Sequence, residues 1–305
     1  MDFDTFIGQA WDAHASDPQA VAAQLPQAMA QLATEPQWLA LANLAHHVHG
    51  QHLGAWEAGR DCLEAMTARP GYDAAGPSGA ARRRWLASLA LSQGAPPAGA
   101  LVGLDTSDRI RVLAMAAANL AENRAAPDLP RATALWAQAL EAAERSGLPD
   151  TDPMHRSLAA TGNGLACAME ERPVRSPAER TLMLGAAQAA RAHWERAGSW
   201  LEVERAEYRL AMSWLQAGDA AQACRHAQAC LDGIGARADS AFERYFGWEA
   251  MALARRGLGA ASAAGAAAAI ESARAAYAEL GPADRAACDA SLQRLLAPAA
   301  RTTPL

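Results

Sequence analysis

The sequence predicts an all-α protein on two observations, its composition and the positions of the segments that interrupt its helices. Of the 305 residues, 82 are Ala, whereas Val and Ile together number only ten. Ala and Leu are strong helix formers, while strands draw on β-branched and aromatic residues. Four segments are too rich in Pro and Gly to continue a helix, and they predict loops at 70–79, 94–99, 125–130 and 172–177.

The clearest local element is a pair of helices over 210–234. Leu210, Ala211 and Trp214 share one face of a first helix, which Gly218 and Asp219 then interrupt. A second helix follows, with small residues at three- and four-residue steps: Ala220, Ala223, Ala227 and Cys230. Small residues on both helices let the two backbones approach closely, so the segment is predicted to be an αα-hairpin.

This hairpin resembles a tetratricopeptide repeat (TPR), whose pattern is a large and a small residue, an aromatic, a Gly turn and then spaced small residues. Weaker copies surround further small residues along the chain: Gly8, Ala45, Ala87, Ala121, Ala166, Ala211 and Ala250. Neighbouring members of this set are 34 to 45 residues apart. The spacing therefore covers both the TPR period of ~34 and the HEAT or armadillo period of ~40–47.

The resemblance implies an α-α superhelix, or solenoid, of about seven degenerate TPR-like hairpins. A HEAT-like solenoid and a globular helical bundle are the alternatives. We expect a single helical repeat domain over 1–297 that ends in a capping helix from Pro282, because a terminal repeat has no next neighbour to cover it. Residues 298–305 are expected to form a C-terminal tail.

The charge pattern excludes several classes of function. All 27 basic residues are Arg, so Schiff-base chemistry on Lys and the lysine of a P-loop are absent. A net charge of −6 without a basic stripe gives no reason to expect nucleic-acid binding. We expect no membrane span and a cytoplasmic protein, because no long window is purely apolar and the first residues lack the basic region of a signal peptide.

Four histidines lie within seven residues: His46, His47, His49 and His52. On an α-helix His46 and His49 share a face, His52 lies further round, and His47 points elsewhere. A zinc site needs three or four convergent ligands with supporting residues, and neither HExxH nor paired CxxC motifs occur. The sequence therefore favours an exposed polar helix without metal or cofactor, with a metal site in this cluster as a weaker alternative.

Catalytic motifs are absent from the sequence as well. There is no GxSxG nucleophile motif, and the five cysteines lack metal-type spacing. Adjacent acids such as Glu170 and Glu171 are typical of solvated helix ends. We therefore expect a protein that is not an enzyme.

In the TPR family, helix faces offset from the packing residues line a concave groove that binds peptides. By this resemblance the groove of this chain would take the following residues: His46, His49, Glu122, Asn163, Glu170, Arg205, Tyr208, Met212, Arg244 and Met251. Arg and Tyr are enriched at binding hot spots, and Met adapts to irregular apolar partners. The resemblance thus implies a scaffold that binds a protein or peptide partner. A regulatory sensor for a small molecule or signalling peptide is the alternative.

Overall fold

The computed structural model describes residues 2–123, 125–235 and 240–297, and over these residues the protein is all-α. About 80% of the described residues are helical, which confirms the predicted fold class. The described residues form fifteen α-helices, in chain order: α1 Phe3–Ala13, α2 Pro18–Met29, α3 Glu35–His47, α4 Trp56–Ala65, α5 Pro77–Gln93, α6 Pro97–Ala100, α7 Thr106–Glu122, α8 Leu129–Ser146, α9 Pro153–Glu170, α10 Pro177–Ala197, α11 Trp200–Ala217, α12 Ala220–Gly235, α13 Ala241–Gly257, α14 Ala263–Ala278 and α15 Pro282–Leu296. A π-helix at Val48–His52 follows α3, and short 3-10 turns lie at Met66–Ala68 and Ala260–Ser262.

The chain divides into two compact units, Met1–Thr161 and Gly162–Leu305. Helices α1 to α8 belong to the first unit and α10 to α15 to the second, and the division falls within α9. The single domain over 1–297 stays a prediction, and the tail expected at 298–305 lies outside the described residues.

The core of the first unit is built on large apolar side chains from its first helices. Trp38 and Leu41 of α3 are fully buried and pack with Phe3 and Phe6 of α1. The indole Nε1 of Trp38 donates a hydrogen bond to the backbone oxygen of Met66 at 2.9 Å, so the one polar atom of this ring is satisfied inside the core. Burial of a large side chain contributes about 1.5–3 kcal/mol, and α3 supplies Trp38, Leu41 and Leu44 to this cluster.

The second unit contains the predicted hairpin, and its details are confirmed. Helix α11 ends at Ala217, and Gly218 takes the left-handed conformation (φ +88°) that a side chain would disfavour. The carboxylate of Asp219 then accepts from the backbone N–H of Gln222 at 2.9 Å and starts α12. The small residues predicted to bring the two helices together, Ala211, Ala223 and Ala227, are fully buried.

The small residues that mark the weaker copies are also packing residues, with one exception. Six of the seven are buried: Ala45, Ala87, Ala121, Ala166, Ala211 and Ala250. Gly8 is exposed on α1. Close helix packing is therefore established at these six positions, while the solenoid arrangement and the number of repeats stay predictions.

The predicted loops are confirmed only in part, because a helix begins inside each of the four segments, at Pro77, Pro97, Leu129 and Pro177. Pro77, Pro177 and Pro282 each occupy the first turn of a helix, where the missing N–H costs no hydrogen bond. The helix predicted from Pro282 is α15, which packs against α13 and α14. Among the described residues, no helix is both long enough and apolar enough to cross a membrane.

Candidate functional site

Two of the predicted groove residues line a pocket of the second unit. The pocket has a volume of about 410 Å³ and lies among α11, α13 and α15. Tyr208 and Met212 of α11 form one wall. The remaining lining residues come from all three helices: Gln216, Phe246, Glu249, Leu253, Ala287, Ala290, Ser291, Arg294 and Leu295. The pocket thus combines apolar walls with a few polar groups, which is the composition of a binding site.

Two of the polar residues that line this pocket, a tyrosine and a glutamate, form a hydrogen-bonded pair. The Tyr208 hydroxyl donates to Glu249 Oε2 at 3.1 Å, and the Tyr208 ring packs edge-on against Phe246 at 5.5 Å between centroids. Burial and the nearby Glu249 raise the pKa of Tyr208 well above its ordinary value, so the hydroxyl remains a donor. Burial also raises the pKa of Glu249, although the bond from Tyr208 opposes this effect.

Arg294 of α15 supplies positive charge at the edge of the pocket. The residue is exposed, and no ion pair joins it to another residue within 2–123, 125–235 or 240–297. A guanidinium keeps its charge at any physiological pH and binds a carboxylate through two parallel hydrogen bonds. The pocket edge can therefore attract an acidic group of a ligand.

The other predicted groove residues of α11 and α13 do not line this pocket. Arg205 donates to the buried Glu243, with Nη2 and Oε1 2.5 Å apart, although more than half of the Arg205 side chain is exposed. Arg244 pairs with Glu279, which follows the last residue of α14, and Met251 is buried in the core. The structure therefore brings Tyr208 and Met212 together, and it assigns the two arginines to contacts within the unit.

One of the two predicted residues of α9, Glu170, forms polar contacts with α11. Glu170 accepts from the Ser213 hydroxyl at 2.5 Å and forms an ion pair with Arg209. The amide of Asn163 lies 3.9 Å from the Cys167 sulfur. The side chain of Glu170 is only 11% exposed, so its charge is directed at Arg209 and Ser213 rather than at solvent.

The predicted residues of the first unit are buried or half-buried. His46 is 3% exposed, and its Nε2 lies 2.8 Å from the Ser88 hydroxyl. Burial lowers the pKa of His46 to about 3, so this ring is a neutral core residue. His49 is half-buried, and burial lowers its pKa too, while Glu122 is half-buried at the end of α7.

A buried carboxyl–thiol pair lies between α11 and α12. The Cys230 sulfur donates to Glu204 Oε1 at 2.6 Å, and the second oxygen of Glu204 has no hydrogen-bond partner among the residues that the structure describes. Burial raises the pKa of Glu204 to about 7, with a smaller contribution from the nearby Glu243. Burial and the same carboxylate raise the pKa of Cys230, and burial alone raises that of Cys62 to about 11. Because a nucleophilic cysteine needs a lowered pKa, neither of these thiols is activated.

Sequence reasoning missed the pocket residues that come from other helices. Phe246 and Leu253 were not among the predicted residues, although Phe246 lies four residues before the packing residue Ala250 and so shares its side of α13. Arg294 belongs to the helix that was expected only to cap the chain. No local pattern could indicate that α15 also forms a pocket wall.

Comparison with known proteins gives no relative from which a function could be inferred. No protein-family model, curated protein or solved structure matches this chain.

Proposed function

We propose that the protein is a non-enzymatic binding module, and that the pocket among α11, α13 and α15 takes a short segment of a partner protein. The observation that carries this proposal is the arrangement of Tyr208, Met212, Phe246 and Leu253 around about 410 Å³, with the charge of Arg294 at the edge. Aromatic and Met side chains beside an Arg are the groups that provide most of the energy of protein interfaces.

The chemistry of the pocket defines its partner segment. The apolar wall of Met212 and Leu253 fits an aliphatic or aromatic side chain, which gains about 25 cal/mol for each Å² of apolar surface buried. Arg294 fits a carboxylate placed next to that side chain, either from Asp or Glu or from a chain end. The preferred segment is therefore an apolar residue next to an acid.

Selection from a displayed library of random short peptides tests this proposal directly. We expect the selected peptides to share an apolar residue beside Asp, Glu or a free C-terminus. Binding of a selected peptide should weaken roughly fivefold or more with Met212→Ala and with Arg294→Glu, which corresponds to a loss of about 1 kcal/mol or more. Circular dichroism of each variant checks that the fold is retained.

Arg274→Glu is the matched control for the change of charge. Arg274 is an exposed arginine of α14 that pairs with Glu271 and does not line the pocket. This variant should bind the selected peptides as the wild type does. Peptides without an acidic residue, or peptides that bind the Met212→Ala and Arg294→Glu variants unchanged, would contradict the proposal.

A sensor of small molecules is the second candidate, and the size of the pocket favours it. Its volume falls within the ~300–1,000 Å³ that small-molecule sites occupy. A thermal-shift screen with carboxylate-bearing metabolites tests this candidate, because a ligand that binds only the folded state raises the melting temperature. A shift that persists in Arg294→Glu would exclude this pocket as the sensor site.

A further inference from the structure

Three histidines of the first unit converge from two segments of the chain. His14 caps the C-terminal end of α1, His47 is the last residue of α3, and His52 is the last residue of the π-helix. The ring centroids are 4.9 Å apart for His14 and His47, 5.1 Å for His14 and His52, and 4.8 Å for His47 and His52. The three rings therefore form a nearly equilateral triangle.

The π-helix is what brings His47 and His52 together. In an α-helix, side chains five residues apart point about 140° away from each other. Here the backbone N–H of Leu53 donates to the oxygen of Val48, five residues earlier, at 3.0 Å. This wider turn places the Nε2 atoms of His47 and His52 3.0 Å apart. Single π-helical turns of this kind are frequent at functional sites.

Gly50 lets the π-helix pass close to α7. A Cβ atom at this position would lie 2.6 Å from Oδ1 of the buried Asn119. The Nε1 of Trp56 donates to the Gly50 oxygen at 3.1 Å, and the backbone N–H of Ala55 donates to the His49 oxygen at 2.9 Å. The wider turn is thus held by contacts on both sides, and the position of His52 is fixed with it.

The distances among the histidines suit a small divalent metal ion. Nitrogens bound to one tetrahedral Zn²⁺ at ~2.0–2.1 Å lie about 3.3–3.4 Å from each other. His47 and His52 are within a few tenths of an ångström of that separation, and one nitrogen from each of the three histidines lies within 4.8 Å of the other two. Binding of an ion would replace the hydrogen bond between His47 and His52 and bring the three nitrogens closer together.

A supporting contact already orients His14. Its Nδ1 donates to the backbone oxygen of Trp11, so Nε2 keeps its lone pair for a ligand. Metal-bound histidines typically donate their other ring nitrogen to a carbonyl or a carboxylate in this way. The Trp11 ring packs against His14 and His47 at 5.1 and 5.2 Å and shields one side of the triangle. All three histidines are half-buried, so an ion can reach them from solvent.

We propose that His14, His47 and His52 form a binding site for one divalent cation of the zinc, copper and nickel class. Imidazole nitrogens suit these borderline ions and do not suit Mg²⁺ or Ca²⁺, which prefer oxygen ligands. Among the described residues, no fourth His, Cys, Asp or Glu belongs to the cluster. The fourth coordination position is therefore open to water or to an exchangeable ligand, as in zinc sites that do more than hold a fold together.

The test is calorimetric titration of the chelator-treated, full-length protein with Zn²⁺. We expect one equivalent to bind, and the affinity to fall roughly tenfold or more in His14→Ala, in His47→Ala and in His52→Ala. Titration with Co²⁺ reports the coordination, because four-coordinate Co²⁺ absorbs visible light much more strongly than the six-coordinate ion.

His49→Gln is the matched control, since His49 belongs to the same segment but not to the triangle. It should bind Zn²⁺ as the wild type does. If His47→Ala fails to fold, His14→Ala still decides the outcome, because His14 lies beyond the last residue of α1. Binding of less than one equivalent, or equal binding by wild type and His14→Ala, would overturn the proposal.

Fluorescence gives an independent measurement of position. Cu²⁺ in the triangle should quench Trp11, so the loss of emission on titration should be smaller in Trp11→Phe than in the wild type. Equal quenching in the two proteins would place the ion elsewhere. The proposal does not depend on the pocket of the second unit, and peptide binding there can fail without affecting it.

Discussion

The two units bury polar side chains of different kinds. Four of the buried polar residues of the first unit are neutral: Ser88, Ser92, Asn119 and the uncharged ring of His46. In the second unit five glutamates are buried, namely Glu179, Glu204, Glu207, Glu243 and Glu249. Among the described residues of the first unit, no Asp or Glu is buried to that degree.

The polar groups of the first unit form a chain of neutral hydrogen bonds. His46 Nε2 lies 2.8 Å from the Ser88 hydroxyl, which itself donates to the Trp85 oxygen at 2.8 Å. One turn further along α5, the Ser92 hydroxyl donates to the Ser88 oxygen and accepts from the amide of Asn119 at 3.1 Å. Each such bond contributes about 0.5–1.5 kcal/mol, and none depends on pH in the neutral range.

The buried acids of the second unit are held by charged or polar donors. Glu207 accepts from Arg191 Nε and lies against His226 Nδ1, both at 2.7 Å. These two contacts lower the pKa of Glu207 although burial acts in the opposite direction. Buried ion pairs cost desolvation energy that their attraction only partly offsets, so removing one partner is far more costly than removing a neutral bond. The comparison teaches that the stability of the second unit depends on charge at its most buried carboxyl groups.

The largest expected effect comes from breaking an ion pair of the second unit. Arg209→Met leaves the nearly buried Glu170 without its cation and should lower the free energy of unfolding by about 3 kcal/mol, the lower end for a buried pair. Urea denaturation followed by circular dichroism measures this. Arg145→Met, which breaks the exposed pair with Glu141, should cost less than about 0.5 kcal/mol. Similar losses of unfolding free energy in Arg209→Met and Arg145→Met would contradict the expected difference between buried and exposed ion pairs.

A pH titration sharpens the comparison further. Since the pKa of Glu204 is about 7 in the folded protein and has its ordinary value of 4.5 in the unfolded chain, the unfolded chain ionises first as pH rises. The stability that protonated Glu204 contributes is complete below pH 4.5 and is lost as pH rises to 7. Glu204→Gln should therefore gain on the order of 2 kcal/mol relative to wild type between these pH values. This prediction is wrong if the difference in unfolding free energy between wild type and Glu204→Gln is constant from pH 4.5 to pH 7.

Two close backbone approaches, one in each unit, give a smaller contrast. A Cβ at Gly162 would lie 2.6 Å from the backbone oxygen of Ala186, which cannot move aside. Gly162→Ala should therefore cost about 1–2 kcal/mol, although Ala is the better helix former. Gly50→Ala meets the end of the Asn119 side chain instead and should cost less. Melting temperatures of the two variants test the order, and the reverse order would contradict it.

The smallest effect is expected in the neutral network of the first unit. Ser92→Ala removes the hydroxyl that accepts from the Asn119 amide and donates to the Ser88 backbone oxygen. This change should lower the free energy of unfolding by about 0.5–1.5 kcal/mol. The loss should be the same at pH 5 and at pH 8, because no ionised group is involved. Denaturation curves at both pH values provide the measurement, and a loss that changes with pH would show that the network carries charge.

Much of the fold could be predicted because local sequence determines it. The hairpin over 210–234 follows from the interruption at Gly218 and Asp219 and from the spacing of Ala223 and Ala227, and each of these residues has its predicted role. Proline likewise indicates the beginning of α15. Such signals act within a few residues and do not need knowledge of the tertiary structure.

The candidate sites could be predicted only in part, because they depend on contacts between distant segments. Tyr208 and Met212 share one face of α11, and the sequence shows this, but the contribution of Arg294 depends on where α15 packs. The convergence of the three histidines could not be predicted from the sequence, for a geometric reason. The projection on an α-helix separates His47 from His52, whereas the π-helix joins them, and His14 lies more than thirty residues away in sequence.

The turn at Val48–His52 also makes chain length critical at this place. A π-helical turn contains one more residue than an α-helical turn, so it is equivalent to a single-residue insertion into a regular helix. Deleting one residue between His47 and His52 would restore an α-helix and leave the two histidines four residues apart, on the same face. With the extra residue present, only the wider turn keeps them together, because five α-helical positions would point them about 140° apart. The meeting of His47 and His52 therefore depends on the match between the number of residues and the kind of turn.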